Sequence, residues 1–224
     1  MCGRYTLLAD ELEILQEFGL HKEIGSYQPS YNIAPGQNVL AIIHDGNAKR
    51  AGYLRWGLVP SWANDEKIGY KMINARSETA HEKMSFKKLM SRKRCLIVAD
   101  SFYEWKKTDD GKLPKRIQPA GRKLFAFAGL WDKWEQAGKV IFTCTILTKE
   151  ANDFMQDIHH RMPIILPKNK EDDWITPLKQ SPVQAHEFLQ TLEDDELTAY
   201  NVGTYVNAAK NNDETCIEPI IQGN

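Results

Sequence analysis

A cysteine at position 2, directly behind Met1 and followed by Gly3 and Arg4, is the first residue whose placement allows chemistry. With Met1 in place, Cys2 is one thiol on a frayed or tucked-in terminus. With Met1 removed, Cys2 carries an α-amine and a thiol two carbons apart. Their ordinary pKa values are about 7.7–8.0 and about 8.5, so both are nucleophiles near neutral pH. Three further stretches set polar groups among aromatics and prolines. RWGLVPSW, followed by MINARSE, holds Trp56, Trp62, Asn74 and Arg76; ADSFYEW holds Glu104 between Tyr103 and Trp105; IHHRMPIIL holds His159, His160 and Arg161. Glu104 either points to solvent as the polar partner in a period-2 strand, or sits in an apolar site that would raise its pKa and make it a general acid/base near neutrality. His159 reads as a capping residue at a helix end or as a titrating group, with His160 its more exposed twin. Asn74 and Arg76 fit a turn as well as a site, and Trp56 and Trp62 fit a core as well as a stacking platform.

The other cysteines, Cys95, Cys144 and Cys216, lie far apart and form no C-x-x-C pair, so neither zinc nor thioredoxin-like spacing is present. Cys95 and Cys144 sit in β-like apolar runs and read as core. No stretch is a phosphate loop or a metal box; no metal and no cofactor is expected.

The elements that must position these residues are short. Residues 8–19, LADELEILQEFG, place Leu8, Leu12, Leu15 and Phe18 on one helical face and end in a C-cap at Gly19. The segments VLAIIH, AGYLRWG, CLIVAD, FYEWKK, LFAFAGLW and VIFTCTIL are rich in β-branched and aromatic residues and separated by turn signals such as HDGN and DDGK. They read as mostly antiparallel strands. Helical patterns recur over 149–158 (KEANDFMQDI) and 182–193 (PVQAHEFLQTLE). The class is therefore α+β, with a barrel-like curved sheet flanked by a few helices. At 224 residues and 42% hydrophobic content the chain can bury one sizeable core, read as a single domain over 1–224.

No apolar run approaches the roughly 20 residues of a membrane span, and no secretory signal opens the chain, so a cytoplasmic protein is expected. The net charge of −1 conceals an asymmetry: residues 1–140 hold 23 Lys and Arg against 16 Asp and Glu, whereas residues 141–224 hold 6 against 14. Such an imbalance points to a basic face for a phosphate backbone. The run HEKMSFKKLMSRKR, with Lys83, Lys87, Lys88, Arg92, Lys93 and Arg94, is either part of that face or a solvated helix side.

MCGRY, YNIAPGQ, RWGLVPSW, INARSET, RCLIVADSFYEW and HHRMPIIL, in that order over residues 2–166, resemble the SRAP (SOS response-associated peptidase) family of abasic-site DNA-crosslinking proteins. The acidic part over 167–224 carries little of the pattern. The resemblance implies the SRAP fold and a function in the DNA damage response: Met1 is lost, and Cys2 captures the ring-opened aldehyde of an abasic site in single-stranded DNA. The amine forms a Schiff base and the thiol closes a thiazolidine. It implies Asn74, Glu104 and His159 as catalytic partners of Cys2: Asn74 orienting the terminus and sugar, Glu104 moving protons, His159 serving the opened sugar oxygen or adjacent phosphate. It further implies Arg4 and Arg76 at phosphates, and Trp62, with Trp56, at the lesion. The peptidase activity in the family name reads as self-removal of Met1. The expected partner is abasic single-stranded DNA, bound by a monomer associated with the nucleoid when on DNA, with replication or repair proteins beside it and no membrane. Two rival readings remain at this point: an N-terminal-nucleophile amidohydrolase, which also exposes a Cys-Gly start, and a non-catalytic single-strand DNA-binding module.

Overall fold

In the computed structural model, which describes residues 2–176 and 180–220, the chain enters through strand β1 (Tyr5–Leu7) and turns into helix α1 (Glu11–Phe18). The expected loss of Met1 falls outside the described residues. Asp10 and Glu13 close a reciprocal capping box on α1, and Gly19 ends it at φ 60°. Because this box starts the helix at Glu11, its buried stripe is Ile14 and Phe18, spaced i, i+4, while Leu12 is 62% exposed. The expected Leu8/Leu12/Leu15/Phe18 face is thus corrected by a rotation of the helix.

Next come β2 (Ser30–Ile33), β3 (Asn38–His44), β4 (Lys49–Trp56) and β5 (Asn74–Arg76), then α2 (Ser77–Ala80) and α3 (Met84–Arg92). They are followed by β6 (Arg94–Ala99), β7 (Ser101–Thr108), β8 (Gly111–Pro119), β9 (Phe125–Gln136) and β10 (Lys139–Glu150). The chain continues with α4 (Asp153–Gln156), β11 (Arg161–Pro163), β12 (Ile165–Leu166), α5 (Glu171–Ile175), α6 (Pro182–Gln190) and β13 (Leu197–Asn201).

Strands β10, β4, β3, β6 and β9 pair in a ring that closes because β9 also pairs with β10. A second sheet runs β13-β8-β7-β1-β2. The expected strands all form, in an α+β fold with a closed barrel and few helices. The pattern over 149–158, however, yields one helical turn. Lys149 and Glu150 are the end of β10, paired with Met162 and Arg161 of β11, and α4 begins only where Asn152 caps it.

The barrel interior is aromatic and aliphatic. Tyr5, Trp56, Phe125 and Phe127 are at most 1% exposed, as are Cys95 and Cys144. Tyr5 lies 5.4 Å from Trp56 and 5.7 Å from Phe127, ring centre to ring centre. This packing carries the N-terminal segment against the barrel. Where β4 leaves the barrel, Gly57 adopts φ 130°, and a Cβ there would lie 2.8 Å from the carbonyl oxygen of Gly69. Gly57→Ala therefore combines left-handed backbone strain with overpacking. It is expected to cost about 1–3 kcal/mol, lowering Tm by roughly 2–4 °C per kcal/mol for a chain of this size. Calorimetry checks this, and an unchanged Tm would count against the tight crossing.

The charge asymmetry is partly cancelled inside the fold. Arg122 pairs with Glu171 and Asp195 at 2.9 Å, Lys49 with Asp172 at 3.0 Å, and Lys149 with Asp194. Much of the acidic part thus neutralises the basic part. Among the described residues, no helix is long and apolar enough to cross a membrane.

Candidate functional site

Cys2 is neither frayed nor at the surface: it is fully buried, with its Sγ 4.0 Å from the Arg4 carbonyl oxygen. Burial and the neighbouring Glu104 carboxylate push its thiol well above the usual range, so the sulfur is protonated at neutral pH. The Asn74 side-chain amide donates to the Cys2 carbonyl at 2.8 Å. Asn74 is placed by β5, which runs parallel to β10 with Asn74 opposite Ile146. Its Oδ1 is buried and has no hydrogen-bond partner among the described residues. A buried amide oxygen without a donor costs desolvation energy, and it marks where an incoming donor would be received.

Glu104 comes from the second sheet. On β7 it shares the inward phase of Phe102, opposite Lys115 of β8, and is 3% exposed. The Tyr103 backbone N–H donates to the Arg4 carbonyl at 2.9 Å, which lays this stretch along the N-terminal segment. The solvent-facing reading of Glu104 is thereby excluded. The alternation fails as a guide because the outer face of β7 is covered too: Tyr103 packs with Val202, Val206 and Cys216.

His159 lies between α4 and β11. Its backbone N–H donates to the Met155 carbonyl at 2.8 Å, and its Nδ1 accepts from the Arg161 backbone N–H at 3.0 Å. The ring stacks on that of the more exposed His160 with centroids 4.4 Å apart. Burial lowers the His159 pKa, and the Glu104 carboxylate opposes that shift. One carboxylate thus acts electrostatically on both the Cys2 thiol and the His159 ring, and four segments distant in sequence converge.

The other anticipated residues divide. Trp56 is not available to a base: it is 1% exposed, and its Nε1–H donates to the Ile73 carbonyl at 2.8 Å. Its place beside Asn74 makes it a support for β5, correcting the expected lesion contact. Arg4 donates to Asn32 Oδ1 and the Val206 carbonyl, each at 2.7 Å, and lies over the Trp105 ring. Its guanidinium ties the N-terminal segment to the C-terminal part of the chain, where a phosphate contact was expected. Arg76 is exposed and borders a cavity of about 440 Å³ with Glu150, His160 and Arg161. Trp62, 53% exposed, borders another of about 500 Å³ with Lys87, Lys88 and Arg92 of α3.

The basic run itself splits. Arg94 is buried, bound to carbonyls of Met90, Trp174 and Thr176, and Lys93 pairs with Asp132 at 2.7 Å. Among the described residues, three or more His, Cys, Asp and Glu side chains nowhere group as metal ligands would. The quoted motifs also contained a pair to which no role was given: Arg161 binds both carboxylate oxygens of Glu78, at 2.6 and 2.9 Å.

A family model described as SOS response associated peptidase (SRAP) matches residues 1–209. "Abasic site processing protein YoqW" of Bacillus subtilis (strain 168) is 50% identical over 222 residues, covering 97% of this chain and 99% of that one. "Abasic site processing protein HMCES" of Gallus gallus is 34% identical over 233 residues, covering 89% of this chain and 68% of its own length. A crystal structure of a Bacteroides thetaiotaomicron protein superimposes with a TM-score of 0.87 at 23% identity, covering 98% of this chain and all of the other, a likeness of fold.

Proposed function

The chain belongs to the SOS response associated peptidase family, and from that premise we propose that it captures abasic sites in single-stranded DNA as a covalent adduct of Cys2. The observation that carries this reading is the enclosure of Cys2 by Asn74 and by the charge of Glu104, which also acts on His159. An amine and a thiol on one residue can both bond to one carbonyl carbon. Once Met1 is removed, the Cys2 amine adds to C1′ of the ring-opened deoxyribose, and the carbinolamine loses water to give a Schiff base. The thiol then adds across the C=N bond: sulfur bonds to carbon, and the thiol proton ends on nitrogen. The product is a five-membered thiazolidine, with one water released overall.

Because the thiol is held neutral by burial and by Glu104, ring closure needs a nearby proton acceptor. The Glu104 carboxylate supplies it and returns the proton to the departing hydroxyl of the carbinolamine. Asn74 holds the backbone of Cys2 and receives a sugar hydroxyl at its open Oδ1. His159 presents Nε2–H to the opened sugar oxygen or the adjacent phosphate. Self-removal of Met1 is assigned to the same group of residues.

The test is a denaturing gel with intact-mass analysis after mixing the protein with an oligonucleotide bearing one abasic site. A heat-stable adduct one water lighter than the sum of its parts, on protein lacking Met1, is expected. Protein with a free Cys2 terminus that forms no adduct would overturn the proposal and make glutaminase the next assay. For the flanking strand, Arg76 contacts phosphate and Trp62 stacks on a base beside α3. Trp62→Ala is expected to weaken binding to undamaged single strands by about 1–3 kcal/mol, leaving adduct yield at saturating DNA intact. Anisotropy titration reads the first and the gel the second. Unaltered affinity would remove Trp62 from the interface.

A further inference from the structure

Glu78 and Arg161 bridge the two segments that carry Asn74 and His159. Glu78 follows Asn74 by four residues, in the turn of α2 that continues β5. Arg161 opens β11, two residues after His159. Both strands lean on β10, β5 through Ile146–Thr148 and β11 through Thr148–Glu150, so Thr148 touches both. The Arg161 side chain is 8% exposed, and its parallel pair of hydrogen bonds to Glu78 is joined by bonds from Nη2 to the Thr148 carbonyl at 2.9 Å and Thr148 Oγ1 at 3.3 Å. A planar guanidinium held on two sides in this way has one orientation. The backbone of Arg161 is fixed with it, and that backbone N–H donates to His159 Nδ1 at 3.0 Å. An amide N–H can only donate, so Nδ1 must present its lone pair, and the proton of the neutral ring sits on Nε2.

We propose that Glu78 and Arg161 are positioning residues that lock the tautomer of His159 and its register with Asn74 through a bidentate ion pair across β10. This deepens the abasic-site reading and rests on it for its kinetic part. Neither residue touches the reacting atoms. The clamp explains why a carboxylate two residues beyond Arg76 and an arginine two beyond His159 belong to the same pair of motifs as the catalytic side chains.

The experiment uses full-length wild type, Glu78→Gln and the conservative Glu78→Asp. Long-range ¹H–¹⁵N correlation of the free protein reads the His159 tautomer, and crosslinking of an abasic oligonucleotide is followed against pH. In wild type, His159 is expected to carry its neutral-state proton on Nε2. In Glu78→Gln, where the lost charge frees Arg161, the ring is expected to populate both tautomers. Crosslinking in this variant should slow roughly 10- to 100-fold, as slight misplacement of a reacting group does. Its pH profile should shift, and affinity for an undamaged oligonucleotide should stay within about twofold, because no binding residue has changed. Glu78→Asp should recover part of the rate.

A wild-type His159 protonated on Nδ1 would overturn the proposal, as would a Glu78→Gln variant with wild-type rate and pH profile. Loss of rate in step with loss of DNA affinity, at an unchanged tautomer, would overturn it as well. If wild type forms no adduct, the abasic-site reading fails, and the tautomer measurement still decides the clamp. It does so even where Glu78→Gln does not fold, since the wild-type ring alone can contradict it.

Discussion

Cys2→Ala yields no adduct with abasic DNA at any time or pH, while its affinity for an undamaged single strand stays at the wild-type level. Both outcomes follow from the chemistry at one residue. Alanine keeps the α-amine, so a Schiff base still forms, but an imine without a neighbouring thiol hydrolyses when the protein is denatured and heated. Cys2→Ser keeps an oxygen in the thiol's place. A hydroxyl is a far weaker nucleophile than a thiol, so its adduct is transient and appears on the gel only after reduction of the imine by borohydride. A heat-stable Cys2→Ser adduct without reduction would sink the thiazolidine assignment. The structural cost of either change is small against this effect: Cys2 is buried, but removing one sulfur from a terminal segment does not dismantle a barrel closed by five longer strands.

The second large effect belongs to Glu104. Glu104→Gln is nearly isosteric and is expected to slow adduct formation by about 10²–10⁴-fold, the usual range for a lost general acid–base. The sign is informative. The carboxylate raises the thiol pKa, so removing its charge lowers that pKa and puts more of the sulfur in the reactive thiolate form. Were thiolate supply limiting, Glu104→Gln would be faster than wild type. A fall in rate identifies proton transfer as the task of the carboxylate. His159 adds a check in the opposite direction: Glu104 supports its protonated form, so in Glu104→Gln the His159 pKa drops further below its already lowered value. The acid limb of the crosslinking profile should then move to lower pH. Quenched time courses against pH separate these outcomes, and a Glu104→Gln rate equal to wild type would remove Glu104 as the proton carrier.

The chemistry was more legible in the sequence than its surroundings. A cysteine at position 2 announces an amine beside a thiol whatever the fold, and six short motifs led to Asn74, Glu104 and His159, which the structure gathers. Burial was harder to read. Glu104 in FYEW looks like the polar half of an alternating strand, yet the covering of Tyr103 by Val202 and Val206, a hundred residues later, hides both faces of β7. Trp56 and Trp62 lie in one motif of identical character. Their fates diverge because one indole N–H finds the Ile73 carbonyl and the other ring finds solvent, a tertiary accident no local pattern encodes. KEANDFMQDI has helical periodicity, but the ladder of β10 with β11 claims its first two residues. Arg94 was indistinguishable from Lys87 and Lys88 in a basic run until its guanidinium met three backbone carbonyls. The Glu78–Arg161 pair was present in the letters and invisible as a pair, since 83 residues separate its members.

Strand β10 pairs with β9, β4, β5 and β11, and so takes part in barrel closure and site geometry at once. In hydrogen-exchange terms, the amides beneath Asn74 and Arg161 belong to the same cooperative unit as the barrel, and their opening costs the global unfolding free energy. Local breathing therefore cannot release a captured lesion. On heating, crosslinking competence and the barrel should be lost at one temperature, and a captured strand should stay enclosed for as long as the barrel remains folded.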